Sequence, residues 1–114
     1  MAMIESYDFG KILIDGRMFG TDVIIYLDRI DGKWWRKDGH TLSVDDVREI
    51  AETKPEVLIV GTGYSGRMRI HPQTEQYLTS CGIELIAAET EKACKNYNDL
   101  SKSRKVVAAF HLTC

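Results

Sequence analysis

Cysteine is scarce in this chain, and what there is falls in no pairing pattern. Cys81, Cys94 and Cys114 are an odd number, lie far apart and form no C-x-x-C. That spacing argues against a disulfide framework or a zinc knuckle, and reads instead as reduced thiols in a cytoplasmic setting. His40, His71 and His111 lack metal-ligand spacing as well, so no metal site is expected. Proline appears only at 55 and 72, and neither position marks a domain boundary. No repeat, low-complexity tract or linker divides the chain. No apolar run approaches the ~20 residues of a membrane-spanning helix, and the opening MAMIESYDFG has neither the basic-then-apolar pattern of a signal peptide nor the acid-poor character of a transit peptide. Neither charge sign is in marked excess: 15 basic against 17 acidic residues give a net charge of −2. That balance provides no general attraction to nucleic acid or to an anionic membrane.

What is present is the composition of an ordinary globular domain, 44% hydrophobic and 28% charged over 114 residues, with residues 1–114 read as a single domain. The first forty residues are β-rich. In KILIDGRMFGTDVIIYL, apolar stretches flank Asp15-Gly16, a hairpin signal. RIDGKWWRKDG repeats the Asp-Gly pair at Asp31-Gly32, and together they predict a small meander. From Ser43 the period lengthens: Ser43 can cap, Asp46 follows it, and Val44, Val47, Ile50 and Ala51 form one helical face ending before Pro55. VLIV (57–60) is a continuous apolar run, as a strand buried on both faces should be. Pro72 suits the first turn of a second helix, whose inner face is Tyr77, Leu78 and Cys81 and whose stop is Gly82. IELIA (83–87) reads as a strand. Thr90 can cap a third helix with Ala93, Cys94, Tyr97 and Leu100 inward, SKSRK (101–105) is its basic exit, and VVAAFHL (106–112) is the last strand. The class is therefore α/β: an N-terminal β-meander followed by a βαβαβ-type parallel part with right-handed crossovers. The meander must either extend the parallel sheet or cover it.

The stretch VLIVGTGYSGRMRIHP spells G-x-G-x-x-G at Gly61, Gly63 and Gly66. A dinucleotide fingerprint works because its glycines open directly into a helix, whose N-terminus meets the pyrophosphate. Here the residue before Pro72 is biased out of the helical region, and RMRI between the last glycine and His71 reads as extended. An acid, Glu89, follows the next strand, where a ribose-binding carboxylate would stand, but α/β chains often have one there. The motif lacks its strand–turn–helix context, so no NAD(P), FAD or other cofactor is expected. Two readings of the loop remain. In the plainer one, Gly61 and Gly63 permit positive φ and close packing at a strand end. In the functional one, the loop amides form a nest for a small anion or carboxylate, reinforced by Arg67 and Arg69 on one face of an extended segment.

His111 and Cys114 are the nearest His/Cys pair, yet at i and i+3 on a strand they point to opposite faces, a poor catalytic dyad. No catalytic residue is assigned. Trp34 and Trp35 are adjacent, so in an extended segment one faces the core and the other solvent or a partner. An exposed tryptophan beside Arg36 and Lys37 has the composition of an interface anchor.

The combination of a β-meander, WR followed by Gly39-His40, the LIVGTG strand and loop, TEKACKNYN and the ending AFHLTC resembles a small α/β family of unknown function. That family is named after an archaeal hypothetical protein. It includes the animal adipogenesis-associated domain protein and, distantly, mitochondrial complex I assembly factor three. The resemblance covers nearly the whole chain and implies a three-layer domain around a mixed sheet. The family's recurrent residues fall on Trp35, Arg36, Gly61, Gly63, Tyr97, Asn98, His111, Thr113 and Cys114; the resemblance brings no catalytic role for any of them, and Gly66 is not a dependable family feature. The mitochondrial relatives imply an assembly or adaptor role. The leading expectation is thus a non-enzymatic cytoplasmic binding or assembly module with a protein partner, contacting it through Trp34, Trp35 and Arg36. The alternative is a small-anion binder or enzyme using Gly61, Gly63, Arg67 and Arg69 beside His111 and Cys114.

Overall fold

Asp15 and Gly16 fold as a tight hairpin requires. In the computed structural model, which describes residues 2–114, their φ values are 48° and 79°, the two positive values of a type I′ turn. They join β2 (Lys11–Ile14) to β3 (Arg17–Phe19), and β1 (Ile4–Asp8) pairs antiparallel with the other edge of β2. These three strands form a sheet of their own. The next two, β4 (Val23–Ile25) and β5 (Ile30–Asp31), belong to the main sheet. The N-terminal part therefore does both things open to it: it covers the main sheet and extends it. Asp31-Gly32 closes no hairpin. The turn joining β4 to β5 lies earlier, where the Tyr26 N–H donates to the Arg29 carbonyl (2.8 Å). Asp31 Oδ1 accepts from the Lys33 N–H (2.9 Å), a local bend that spends the aspartate on its own backbone.

The remaining elements are β6 (Thr41–Leu42), α1 (Val44–Glu52), β7 (Val57–Thr62), β8 (Arg69–Ile70), α2 (Pro72–Ser80), β9 (Glu84–Ala88), α3 (Thr90–Leu100) and β10 (Val106–His111). The five-stranded sheet has the order β5-β4-β10-β7-β9. β7 runs parallel to both β10 and β9, whereas β4 is antiparallel to β10 and β5 to β4, so the sheet is mixed. β6 and β8 make a short parallel pair, an addition to the expected order. Every residue of β7 and β10 is buried, as a continuous apolar run demands. Alternate side chains serve opposite layers. Val57, Ile59, Val106, Ala108 and Phe110 pack with β1, β2 and α3; Leu58, Val60, Val107 and Ala109 pack with α1 and α2.

Helix boundaries follow local chemistry. Asp46 Oδ2 accepts from both the Ser43 N–H (2.8 Å) and the Ser43 hydroxyl (2.9 Å), fixing the start of α1. Pro72 opens α2, with His71 Nδ1 accepting from the Gln73 N–H (3.1 Å). Gly82 follows the helix end at φ 75°, and the Ile83 N–H reaches back to the Leu78 carbonyl (3.0 Å), a glycine stop of the expected kind. The inner face of α2 is Thr74 and Leu78 with Tyr77 alongside. Cys81 is exposed, because the helix ends at Ser80 and Cys81 lies past its last turn. On α3, Ala93, Cys94 and Tyr97 are buried as predicted and Leu100 partly so. Its cap position is Glu89, however, and Thr90 is the first helical residue.

Asn98 on α3 ties down the irregular start of β1. Its Oδ1 accepts from the Ile4 N–H (3.0 Å) and its Nδ2 donates to the Ile4 carbonyl (2.8 Å), where the β1–β2 register slips between Ile4 and Ser6. Asn98→Ala is expected to destabilise the fold by about 1–2 kcal/mol. Urea unfolding would show a lower midpoint at an unchanged slope. An unchanged midpoint would mean that Ile4 packing alone holds the strand.

Candidate functional site

The carboxyl ends of β7 and β10 lie side by side, Thr62 opposite His111. Open α/β sheets bind ligands at such ends; here the chain's own residues 112–114 and the glycine loop fill the space. A Cβ on Gly61 would stand 2.8 Å from both the Phe110 ring and Thr90 Oγ1. Gly63 has φ 113°, and a Cβ there would stand 2.6 Å from the Cys114 carbonyl oxygen. Gly61 requires glycine for close approach alone, without the positive φ expected of it, whereas Gly63 requires it for both reasons.

Thr90 joins the two strand ends. Its hydroxyl donates to the His111 carbonyl (2.6 Å) and accepts from the Gly63 N–H (2.9 Å). The Thr90 N–H donates to the Gly63 carbonyl (3.0 Å). Thr90 is fully buried, so these bonds satisfy its polar atoms without water. Four more loop amides are engaged: Tyr64 with the Thr113 carbonyl (2.7 Å), Gly66 with Gly63 (3.1 Å), Met68 with Thr62 (3.0 Å) and Arg69 with His40 (2.8 Å). The chain passes from this loop through β8 before α2 begins, so no helix opens at the glycines. Arg67 and Arg69 are exposed on either side of buried Met68, the alternation expected of an extended segment. Cys114 is exposed and His111 is buried. Cys94 lies in the core, where burial pushes its thiol up to about 12, so it is an inert packing residue at neutral pH.

A second cluster lies on the α1/α2 side of β10. His111 Nδ1 is 2.8 Å from Asp22 Oδ2 and 3.1 Å from Arg36 Nη2. Asp22 Oδ1 accepts from the Leu112 N–H (2.9 Å), and the Asp22 carbonyl accepts from the Trp34 N–H (2.9 Å). The aspartate therefore joins β10 to the segment leading out of β5. Arg36 Nη1 is at ion-pair distance from Asp22 Oδ2 (2.9 Å), although its N–H points off the line to that oxygen. The guanidinium stacks on Trp34, 4.5 Å from the ring centre, a cation–π contact. Burial alone would raise the Asp22 carboxyl; His111, the Leu112 N–H and Arg36 outweigh it and hold the group below its usual value. Three buried donors, Trp34 Nε1, Arg36 Nε and Arg36 Nη1, have no hydrogen-bond acceptor, at a cost of roughly 1–3 kcal/mol for each group left unpaired.

The two tryptophans separate as their adjacency implied, in an irregular extended segment and not a strand. Trp34 is 7% exposed and Trp35 76%. A groove of about 310 Å³ runs beside them, bordered by Tyr26 and by Asp45, Asp46 and Glu49 of α1. Of the residues singled out in the sequence, Trp34, Arg36 and His111 come together around Asp22, which sequence reasoning did not select. Gly61, Gly63 and Cys114 gather at the loop around Thr90, whose sequence signal is only that of a helix cap. Among the described residues, no group of three or more His, Cys, Asp or Glu side chains is placed to hold a metal ion. No helix there is long and apolar enough to cross a membrane.

Known proteins share this architecture. A conserved hypothetical protein from Pyrococcus horikoshii OT3, PH1505, superposes with a TM-score of 0.84 at 28% identity, covering 97% of this chain and 98% of its own. A protein called MT938 superposes at 0.83 with 26% identity over 100% of both chains. In sequence, the chain is 29% identical to the mouse (Mus musculus) NADH dehydrogenase [ubiquinone] 1 alpha subcomplex assembly factor 3, across 93% of this chain but 57% of that protein's length. Residues 4–111 match the family described as protein of unknown function (DUF498/DUF598), and the chain belongs to that family.

Proposed function

We propose that this chain is a non-enzymatic binding or assembly module of the cytoplasm that captures a protein partner through Trp35. The observation that carries this reading is the contrast within three consecutive residues. Trp34 and Arg36 are buried and tied to β10, while Trp35 between them is 76% exposed. A large aromatic ring held out on a fixed support loses little freedom on binding, and such rings contribute disproportionately to interface energy. The mouse relative is by name an assembly factor, which supports a protein partner for this chain. The second reading is a small-anion site or enzyme using Gly61, Gly63, Arg67 and Arg69 near His111 and Cys114. What favours it is that both arginines are exposed beside the loop. It must draw its affinity from their side chains, since most loop amides already donate within the chain.

The two readings part in one experiment. Wild type, Trp35→Ala and the Arg67→Ala/Arg69→Ala double variant are used as bait, captured proteins are identified by mass spectrometry, and each bait is titrated with inorganic phosphate. All three should fold alike, because exposed side chains away from special backbone positions contribute little stability. Trp35→Ala is expected to lose the specific partner at least tenfold, matching a hot-spot loss of about 2 kcal/mol, while the arginine variant keeps it. Loss of capture or of phosphate binding only in the arginine variant would transfer the function to the loop.

A further inference from the structure

We propose that His111 is a proton-operated latch on the segment that carries Trp35. One nitrogen of its ring has two neighbours of opposite demand. His111 Nδ1 lies 2.8 Å from a carboxylate oxygen of Asp22, which can only accept, and 3.1 Å from Nη2 of Arg36, which can only donate. If the neutral ring carries its proton on Nδ1, Asp22 is satisfied and Arg36 faces an N–H. If the proton is on Nε2, Nδ1 accepts from Arg36 and turns a lone pair toward the carboxylate. Neither neutral tautomer serves both neighbours. The shorter contact selects the first tautomer, with Nε2 left as the basic position.

Taking up a proton at Nε2 makes the ring a cation beside the Arg36 guanidinium. Asp22 Oδ2 is then shared by two cations, and its other oxygen is already committed to the Leu112 N–H (2.9 Å). Asp22 and Arg36 are the charged side chains paired with the ring; its neighbour across the sheet, Thr62, is uncharged and donates its hydroxyl to the Ala88 carbonyl (3.0 Å). His111 is fixed in a central strand, whereas Arg36 sits in a segment without regular structure. The guanidinium is therefore the part that yields. Its Nε, like Trp34 Nε1, lacks an acceptor where it is buried and would find water on release. Acidification thus frees residues 33–39 and changes how Trp35 is presented. That consequence for binding rests on Trp35 being the partner contact; the latch itself is observable with no partner present.

The test uses the full chain carrying Trp35→Phe, so that Trp34 is the sole tryptophan. On acidification from about pH 8 to 5, Trp34 emission should shift to the red and lose its protection from iodide, with unchanged far-UV circular dichroism. Imidazole ¹⁵N spectra should show a proton on His111 Nδ1 before the transition and on both nitrogens after it, changing together with the emission. His40→Gln/His71→Gln should retain the transition; the control is needed because His71 Nδ1 caps α2. His111→Gln should abolish it. Arg36→Met, which keeps the histidine but removes the second cation, should also abolish it and so covers the case in which the glutamine variant does not fold. A flat Trp34 signal while His111 titrates would overturn the latch, as would a transition that survives in Arg36→Met. Partner capture that ignores Trp35 would instead overturn the binding reading and leave the latch standing.

Discussion

Asp22→Ala is expected to lower the unfolding free energy by about 3–5 kcal/mol, the range found when one partner of a buried ion pair is removed. The side chain does more than one thing. It accepts from the Leu112 N–H, pairs with His111 and faces Arg36, whose side chain is 5% exposed against 18% for the aspartate. Truncation leaves a desolvated guanidinium with no counter-charge and a buried backbone N–H with no acceptor. The double variant Asp22→Ala/Arg36→Met should recover most of the loss, because the uncompensated charge is gone and the methionine stem can still cover Trp34. Urea unfolding of both variants at neutral pH measures this. A single variant within 1 kcal/mol of wild type, or a double variant as damaged as the sum of its singles, would show that the cluster is not held by charge pairing. The pH dependence has a definite sign. A carboxyl depressed in the folded state adds stability that is complete above its unfolded value of about 3.9 and is lost as the pH falls through its lower folded value. The Asp22 contribution therefore disappears only below about pH 4.

Much of the architecture was legible because it is written locally. Asp15-Gly16 sets a turn by its own dihedrals, Pro72 sets a helix start, Gly82 a helix stop, and VLIV and VVAAFHL announce strands covered on both faces. Each signal needs only its immediate neighbours. The site residues depend on contacts that no local period encodes. Asp22 stands ahead of the short apolar run of β4 with nothing to distinguish it from other surface acids. His111 and Leu112 lie some ninety residues further along the chain, and the antiparallel placement of β4 against β10 brings them to it. In sequence Thr90 has the signature of a cap, because hydroxyl residues at helix starts usually are caps. The fold places it one position later, where its hydroxyl bridges two strand ends. Asp31-Gly32 shows the opposite limit: a good turn signal was spent on a local bend, since β5 continues into the tryptophan segment and not into another strand. The adjacent tryptophans carried more information than either alone, because neighbours in an extended chain must face opposite ways.

The glycine loop gives the other large effect. Gly63→Ala is expected to destabilise the protein by about 2–4 kcal/mol, combining a backbone conformation that costs a non-glycine residue roughly 1–3 kcal/mol with a lost hydrogen bond of about 1 kcal/mol. At φ 113° the new Cβ would lie 2.6 Å from the Cys114 carbonyl oxygen. That atom belongs to backbone, so no side-chain rotation relieves the contact. Residues 113–114 must move away, and the bond from the Tyr64 N–H to the Thr113 carbonyl (2.7 Å) goes with them. Gly16→Ala isolates the dihedral cost, since Gly16 has φ 79° but no atom within 4 Å of its would-be Cβ; a loss of about 1 kcal/mol is expected there. Gly39→Ala, with neither a positive φ nor a neighbour, should be neutral. Urea unfolding of the three variants gives the ranking, and amide exchange at Tyr64 reports directly on the displaced segment. If Gly63→Ala costs no more than Gly16→Ala and Tyr64 stays protected, the glycine is not there to seat the chain's own residues, and the loop becomes a better candidate for an external ligand.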